Sequence, residues 1–308
     1  MKASIIIPNL NGEGWLEDSI RSCFAQTETD FEMIIIDNGS TDTSMDIIRR
    51  CARDWPLFTI IENEENTGFS YAVNQGIRVA KGEYVVLFNN DAFAEPGWLA
   101  ALIETADANP KAFSVCSLML RHATPHLADD AGDYVCILGW ACKRGDGLPA
   151  QRYNQTQRVF SSCGGAALYR KSVLAEIGLF EEVFFAYLED VDISWRANNL
   201  GYENIFCPNA RCTHITSATT GSKYNDFKAK QGGRNNLLLP YKNMPLLMLV
   251  LNLPFLLIGD LIKIVFFHLR GFGKPYMQGH KEAFSAAKKV KKTPFHWRNL
   301  PNYFWVQW

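Results

Sequence analysis

Three short stretches carry side chains able to do chemistry. The first is Asn89-Asn90-Asp91, which follows the apolar run 85–88 directly. A buried strand that ends this way delivers two amides and a carboxylate to its C-terminal edge. In open α/β sheets, ligands bind outside the carboxyl ends of the strands. A lone Asp there is a hard oxygen ligand suited to Mg²⁺ or Mn²⁺; the plain alternative is an Asn/Asp turn. The second stretch is Glu189-Asp190-Val191-Asp192, which opens a helical pattern with three carboxylates. The helix dipole favours acidic residues there by roughly 0.3–1 kcal/mol each, and Asp192 can pair with Arg196 four residues on. Three carboxylates within four residues also repel one another, which stability alone does not ask for. The third is Asp37, at the end of the run 31–36. It can accept the imide N–H of a pyrimidine base, or it can organise the turn Asn38-Gly39-Ser40-Thr41-Asp42.

The elements that must position these groups follow from hydrophobic spacing. Short buried strands are expected over 4–7, 31–36, 58–61 and 84–88, with helices over 15–25, 45–52 and 70–80 between them. Pro8-Asn9-Leu10-Asn11-Gly12 breaks the first strand, and Ser40 or Thr41 can cap the second helix. This β-α-β-α-β-α-β order predicts an α/β fold with a mostly parallel, doubly wound sheet. The polar strand ends at Asn11, Asp37 and Asn89–Asp91 then share one edge. Asn66 and Gly68 sit where backbone must approach something closely, and Asn74 lies one turn inside the following helix. A dinucleotide-binding turn would show G-x-G-x-x-G after the first strand. Asn11-Gly12-Glu13-Gly14-Trp15-Leu16-Glu17 lacks the third glycine, which sets aside a nicotinamide dehydrogenase.

Further along, a helix is expected over 95–108 and strands over 115–120 and 204–207. Residues 121–160 contain His122, His126, Asp129, Asp130 and Asp133 at no helical or strand spacing, and read as a solvated, substrate-specific loop. Gly164-Gly165 permits close approach of the backbone. Cys163 has no His partner in its sequence context and is not expected to be a nucleophile.

Bulk composition separates an acidic body from a basic tail. The 308 residues are 47% hydrophobic, with a formal net charge of -1. Residues 1–220 carry 17 Lys+Arg against 29 Asp+Glu, whereas residues 221–308 carry 14 against 3. A basic tail on an acidic body suits an anionic surface. The eight cysteines form no CxxC pair and no zinc-like cluster, so they read as reduced buried thiols of a cytosolic protein. The N-terminal apolar run is too short for a signal peptide.

The blocks "SIIIPNLNG", "IIIDNGSTD", "NTGFSYAVNQG" and "GEYVVLFNNDA", in this order, resemble family 2 glycosyltransferases of the GT-A fold. The nearest in appearance are rhamnosyltransferase-like enzymes of bacterial cell-surface polysaccharide assembly. The resemblance covers about residues 3–240. It implies that Asn89-Asn90-Asp91 is a degenerate D-x-D motif, with Asp91 holding a divalent cation (Mg²⁺ or Mn²⁺). It also implies that Asp37 contacts the pyrimidine of a dTDP- or UDP-linked sugar donor. "FFAYLEDVDISWR" resembles the family's E-D-x-D-x-x-x-R block, in which the second acid is the general base; this assigns Asp190. Glu189 and Asp192 then support the acceptor pocket and orient the base, and Gly164 and Gly165 lie beneath the acceptor. His214 matches the family's metal-binding His. Arg234 matches a position near the active site and could grip phosphate as a bidentate fork. Pro8, Asn11, Asn66, Gly68, Asn74, Asn89 and Asn90 complete the expected donor site. A sugar nucleotidyltransferase would carry an Arg-containing loop after the first strand, and residues 9–14 have no Arg or Lys. The intact acidic block argues against a non-catalytic nucleotide-sugar-binding scaffold.

The tail divides the chain into a catalytic domain at 1–240 and a helical segment at 241–308. The apolar run 246–259 contains Pro254 and falls short of the ~20 residues of a membrane-crossing helix. A helical pair lying in the membrane interface is expected. Lys288, Lys289, Lys291 and Lys292 precede Phe295, Trp297, Tyr303, Phe304, Trp305 and Trp308. Basic residues beside aromatics suit an anionic bilayer face. The expected location is cytoplasmic, peripheral on the inner face of the plasma membrane, where a lipid-linked saccharide acceptor would be met. No nucleic-acid partner is expected, since the apolar run would be idle there.

Overall fold

The computed structural model describes residues 1–215 and 224–307, with side chains up to residue 303. The expected aromatic contacts of Phe304, Trp305 and Trp308 therefore lie outside the described residues. Strands β1 (Ala3–Asn9), β2 (Phe31–Asn38), β3 (Phe58–Asn63) and β4 (Tyr84–Phe88) alternate with helices α1 (Leu16–Phe24), α2 (Ser44–Cys51) and α3 (Phe69–Val79). All pairings among these strands are parallel, with β1 between β2 and β4. Pro8 does not break β1. It pairs with Ile36 inside the strand, which runs on to Asn9. The near-continuous apolar runs arise because both sheet faces are covered. Ile5 and Ile7 pack on one face with Leu16, Ile20 and Trp98, while Ile6 packs on the other with Val73 and Ile193. The register sets Asn9 beside Asp37, and Asp37 beside Glu62, so the polar strand ends share an edge.

Beyond β4 the sheet becomes mixed. β5 (Ala92–Ala94) leads to α4 (Trp98–Ala108) and β6 (Ala112–Arg121), followed by β7 (Thr124–Asp130), the hairpin β8 (Asp133–Val135) and β9 (Ala141–Lys143), β10 (Gln157–Val159) and β11 (Ala166–Arg170). Then come α5 (Lys171–Ile177), α6 (Glu189–Leu200) and β12 (Glu203–His214). The main sheet runs β10-β12-β6-β11-β4-β1-β2-β3. β11 is antiparallel to both β4 and β6, and β12 is antiparallel to β5. β6 and β12 pair in parallel, so beyond β4 the sheet mixes parallel and antiparallel neighbours.

The expectation of a solvated loop at 121–160 is corrected. β7 pairs with β6, and the hairpin folds back with bonds from Ala131 N–H to Arg144 O and from Arg144 N–H to Gly132 O. Asp129, Asp130 and Asp133 are buried. Their charge is met by Lys143, the Gly132 N–H and the Ser161 hydroxyl, partners that no local spacing reveals. His126 is exposed, and His122 stacks near Phe93. The cysteines are all free; Cys136 and Cys142, on this hairpin, are exposed rather than buried.

The C-terminal helices are α7 (Asp226–Asn243), α8 (Leu246–Leu269), α9 (Gly273–Ala287) and α10 (Leu300–Gln307). α7 runs through residue 240 and packs backbone to backbone on α9. A Cβ at Gly233 would lie 2.2 Å from Tyr276 O, and one at Gly279 would lie 2.1 Å from Lys230 O. α8 corrects a second expectation. It continues through Pro254 as one 24-residue helix, long and apolar enough by itself to cross a membrane, and little of it is buried.

Candidate functional site

The donor edge is a hydrogen-bonded chain across three strand ends. Asn9 Nδ2 donates to Asp37 Oδ1 (2.9 Å) and to Ser40 Oγ (3.1 Å), and its Oδ1 accepts from Asn90 Nδ2 (2.7 Å). Asp37 is almost fully buried and also accepts from the Ser40 N–H and hydroxyl. It therefore organises the turn after β2, whose Thr41 N–H donates to Asn11 Oδ1 on the turn after β1. Asn11 is left-handed, with φ 50°. Gly12 closes this edge, because a Cβ there would lie 2.3 Å from Asn9 Oδ1 and 2.6 Å from Asn90 Nδ2. Pro8 is half-buried beside it. On the other side Asn66 Oδ1 accepts from Asn38 Nδ2 and from Gly68 N–H. Gly68, with φ +86°, makes its close approach to the Phe185 ring.

Strand pairing builds the second part of the site. Ala92 is opposite His214 in the β5–β12 ladder, so Asp91 comes beside the imidazole. His214 Nε2 is 3.1 Å from Asp91 Oδ1, and Nδ1 is 2.8 Å from Asp129 Oδ2. Burial opposes charge on this ring, but the bonds to Asp129 and Asp91 outweigh it and push His214 up to about 9. One carboxylate oxygen and one imidazole nitrogen facing each other form a donor pair that fits Mn²⁺ or Mg²⁺. Asp129 fixes the ring's far nitrogen, the usual support for a ligating histidine. No group of three or more His, Cys, Asp or Glu among the described residues could hold a metal alone. Two protein ligands completed by substrate phosphates are the common arrangement for such cations.

The third part is the base. Asp190 Oδ2 accepts from Gly164 N–H (3.0 Å) and Oδ1 from Val191 N–H (2.8 Å). Burial lifts its carboxyl above the usual range, while those two N–H groups pull the other way. Glu189 is buried with Oε2 unbonded, and burial and the neighbouring Asp190 raise it further. The glycine pair links base to metal pair. Gly165 O accepts from Asn89 N–H at 2.8 Å, and Asn89 Nδ2 lies 3.3 Å from His214 Nε2. A Cβ at Gly165 would be 3.0 Å from Asn89 Nδ2. Asp190, Gly164, Gly165, Asn89, His214 and Asp91 thus form one connected set.

Three expected site residues have other contacts. Asn74 is buried and bonds Phe180 through N–H and C=O, tying α3 to the turn before α6. Arg234 turns its fork on Phe184 O (2.6 Å) and on Asn235 Oδ1 (3.0 Å) instead of an open phosphate position. Asp192 is sealed from solvent against Lys242 Nζ (2.7 Å), Asn243 Nδ2 (2.7 Å) and Arg196 Nε (3.1 Å). Arg196 and Lys242 outweigh its burial and hold its carboxyl below the usual range. Its support is to the helix, not to the pocket wall.

Sequence reasoning gave no site role to Asn9 or Asp129, and read Asn235 only as the neighbour of Arg234 near the active site. Asn235 Nδ2 faces the carbonyls of Phe184 (3.1 Å), Ala186 (2.9 Å) and Tyr187 (2.7 Å). It clamps a turn in which Phe185, Tyr187 and Leu188 all have positive φ, directly before Glu189. Left-handed non-glycine residues in series are rare and mark functional segments. The only sequence signal was the aromatic-rich run before the acidic block.

Comparison with known proteins bears on the family and the fold. Residues 4–178 match the family description "Glycosyl transferase family 2". Poly-β-1,6-N-acetyl-D-glucosamine synthase of Staphylococcus epidermidis is 27% identical over 238 residues, 76% of this chain and 55% of that protein. The chain spans about half the length of the curated relatives it matches. Among solved structures, GalNAc-T7 with UDP, GalNAc and Mn²⁺ superposes with a TM-score of 0.65 at 16% identity, covering 79% of this chain and 48% of that one. A mannosyltransferase of Pyrobaculum calidifontis with GDP-Man and Mn²⁺ gives 0.57 at 19% identity, covering 94% and 86%. These likenesses establish an α/β GT-A fold.

Proposed function

The chain belongs to glycosyl transferase family 2, and from that premise we propose that it is an inverting hexosyltransferase of cell-surface glycan synthesis. Its donor is a nucleotide-diphospho-sugar, dTDP- or UDP-linked, lying across the strand ends of β1, β2 and β4. The Asp37–Asn9–Asn90 chain shapes the nucleoside position. Asp91 and His214 would hold a divalent cation, which when bound would supply positive charge to the departing diphosphate. Asp190 accepts the proton of the acceptor hydroxyl while that oxygen bonds to the anomeric carbon. The bond from that carbon to the diphosphate oxygen breaks, and its electron pair leaves with the nucleoside diphosphate. Displacement from the opposite face inverts the anomeric centre. A base with a carboxyl raised by burial is a stronger proton acceptor than a solvated one, which suits this step.

The observation that carries the reading is the connected run from Asp190 through Gly164-Gly165 and Asn89 to His214 and Asp91. The acceptor is a lipid-linked or polysaccharide hydroxyl at the cytosolic face of the plasma membrane. The exposed apolar face of α8 supports that location. The structure resembles sugar-transferring enzymes generally and gives no preference for rhamnose; the likeness to poly-β-1,6-N-acetyl-D-glucosamine synthase makes N-acetylglucosamine an equal candidate. Incubating the purified protein with dTDP-rhamnose, UDP-N-acetylglucosamine, UDP-glucose and UDP-galactose, and measuring released nucleoside diphosphate with Mn²⁺, tests the reading. Release from one donor well above the others is expected. Release from none, with donor binding also absent, would refute it.

A further inference from the structure

A cavity of ≈ 140 Å³ lies outside the site, between the tip of the β8–β9 hairpin, α7 and α8. Its wall is mainly apolar, formed by Leu138, Leu249, Leu253 and Leu256 among others, and its polar lining includes Lys263, Asn236 and Asp260. Lys263 Nζ donates to Asn236 Oδ1 (2.8 Å) and lies 5.3 Å from the Trp140 ring centre. No ion pair is formed by Lys263 among the described residues. The nearby Asp260 is engaged by Tyr276 (3.1 Å) and His280 (2.9 Å). Burial pushes Lys263 down to about 8, consistent with an ammonium short of counter-charge. An ammonium in an apolar groove is costly unless an anion meets it.

The groove is tied to the site by two elements. On α7, Asn235 clamps the turn before Glu189, and the next residue, Asn236, faces Lys263. The hairpin reaches from Lys143, 3.4 Å from Asp129, to Gly139, where a Cβ would lie 2.7 Å from Leu256. Four extended residues span roughly 13 Å.

The groove also opens beside bare hydrocarbon. Leu247 is 71% and Leu261 60% exposed on α8, and Phe284 is 74% exposed on α9. The hairpin, α7 and α9 contact α8 between Leu256 and Phe267. A crossing helix would drag these polar elements into the bilayer, where unpaired polar groups cost several kcal/mol each. An α8 lying along the surface avoids that cost.

We propose that this groove binds the phosphate end of a long-chain lipid phosphate, placing the sugar it carries near Asp190. The phosphate meets Lys263 and Asn236, the adjoining hydrocarbon follows the leucine wall, and the rest of the chain stays in the bilayer beside α8. This deepens the acceptor half of the proposed function and rests on it.

The test uses the full chain and flotation on phosphatidylcholine vesicles. One set contains a polyprenyl monophosphate and the other phosphatidate at equal charge. Wild type is expected to bind the first at least about tenfold more tightly, since every 1.4 kcal/mol is tenfold. Lys263→Met should abolish that preference, Lys263→Arg should keep it, and Leu253→Trp, which fills the groove, should abolish it without touching the charge. Equal binding of wild type to both vesicles, or a preference surviving Lys263→Met, overturns the proposal. So does an α8 face covered by a second copy, seen as a stable dimer that binds neither vesicle. Nucleotide-sugar binding by wild type, measured in parallel, separates the two failures. Its absence removes the transferase reading, whereas donor binding without lipid preference removes only the groove.

Discussion

Asn235→Ala tests whether the turn before the acidic block is held for catalysis. The amide faces three carbonyls, of Phe184, Ala186 and Tyr187, at 3.1, 2.9 and 2.7 Å. At a net ~1 kcal/mol per hydrogen bond, the clamp contributes about 2–3 kcal/mol. It opposes a turn whose three left-handed residues, with φ of 63°, 69° and 69°, each cost roughly 1–2 kcal/mol. The summed strain, about 3–6 kcal/mol, is at least as large as the clamp's contribution, so removing the amide lets the turn relax and carries Glu189 and Asp190 with it. A displacement of about 1 Å at a reacting group costs on the order of 10²-fold in rate. We expect kcat for transfer to fall by about 10²-fold, with donor affinity from calorimetry changed by less than about threefold, or ~0.7 kcal/mol. Asn235→Asp should be worse, because it keeps the size but sets a carboxylate against three carbonyls. A folded Asn235→Ala variant with near wild-type kcat would refute the clamp and leave Asn235 as packing.

Other perturbations follow from the same contacts. Lys242→Met leaves Asp192 buried with reduced counter-charge and should cost roughly 3–5 kcal/mol in denaturant unfolding; adding Asp192→Asn should recover much of it. Glu189 is raised by burial and by Asp190, so its stability contribution is full below the unfolded carboxyl pKa and is lost as pH rises through the folded one. Glu189→Gln cannot ionise, and its Tm advantage over wild type should grow as pH rises above the unfolded carboxyl range, while the acid limb of kcat/KM moves to lower pH. Chelation should stop transfer and Mn²⁺ restore it, and His214→Ala should raise the Mn²⁺ concentration needed; an unchanged requirement removes His214 from the metal pair.

The first four βα units were legible because each strand is buried on both faces and ends abruptly in polar residues. The same abruptness exposed Asp37 and Asp91 as candidates, whereas Asp190 came from the clustered carboxylates at a helix start and the resemblance of that block. What escaped were residues whose partners lie far along the chain. Asp192 reads as part of an acidic face until Lys242 and Asn243 arrive from α7, 50 and 51 residues away. Asn74 and Arg234 are polar residues near the site whose bonds go to backbone carbonyls, which no side-chain pattern encodes. The stretch 121–160 has no regular period because its order comes from β7 pairing on β6 and from carboxylates neutralised by Lys143 and backbone N–H groups. α8 was read as interrupted because proline removes a helical hydrogen bond. In an apolar helix of 24 residues, that single loss is borne without a break.

The account depends most on Asp190 as the proton acceptor. Single-turnover transfer by Asp190→Asn, with donor affinity measured on the same sample, tests that directly. General-base catalysis contributes about 10²- to 10⁴-fold, so the rate should fall by at least about 10²-fold while donor affinity stays within a few-fold. A folded Asp190→Asn protein that transfers sugar at close to the wild-type rate would contradict it.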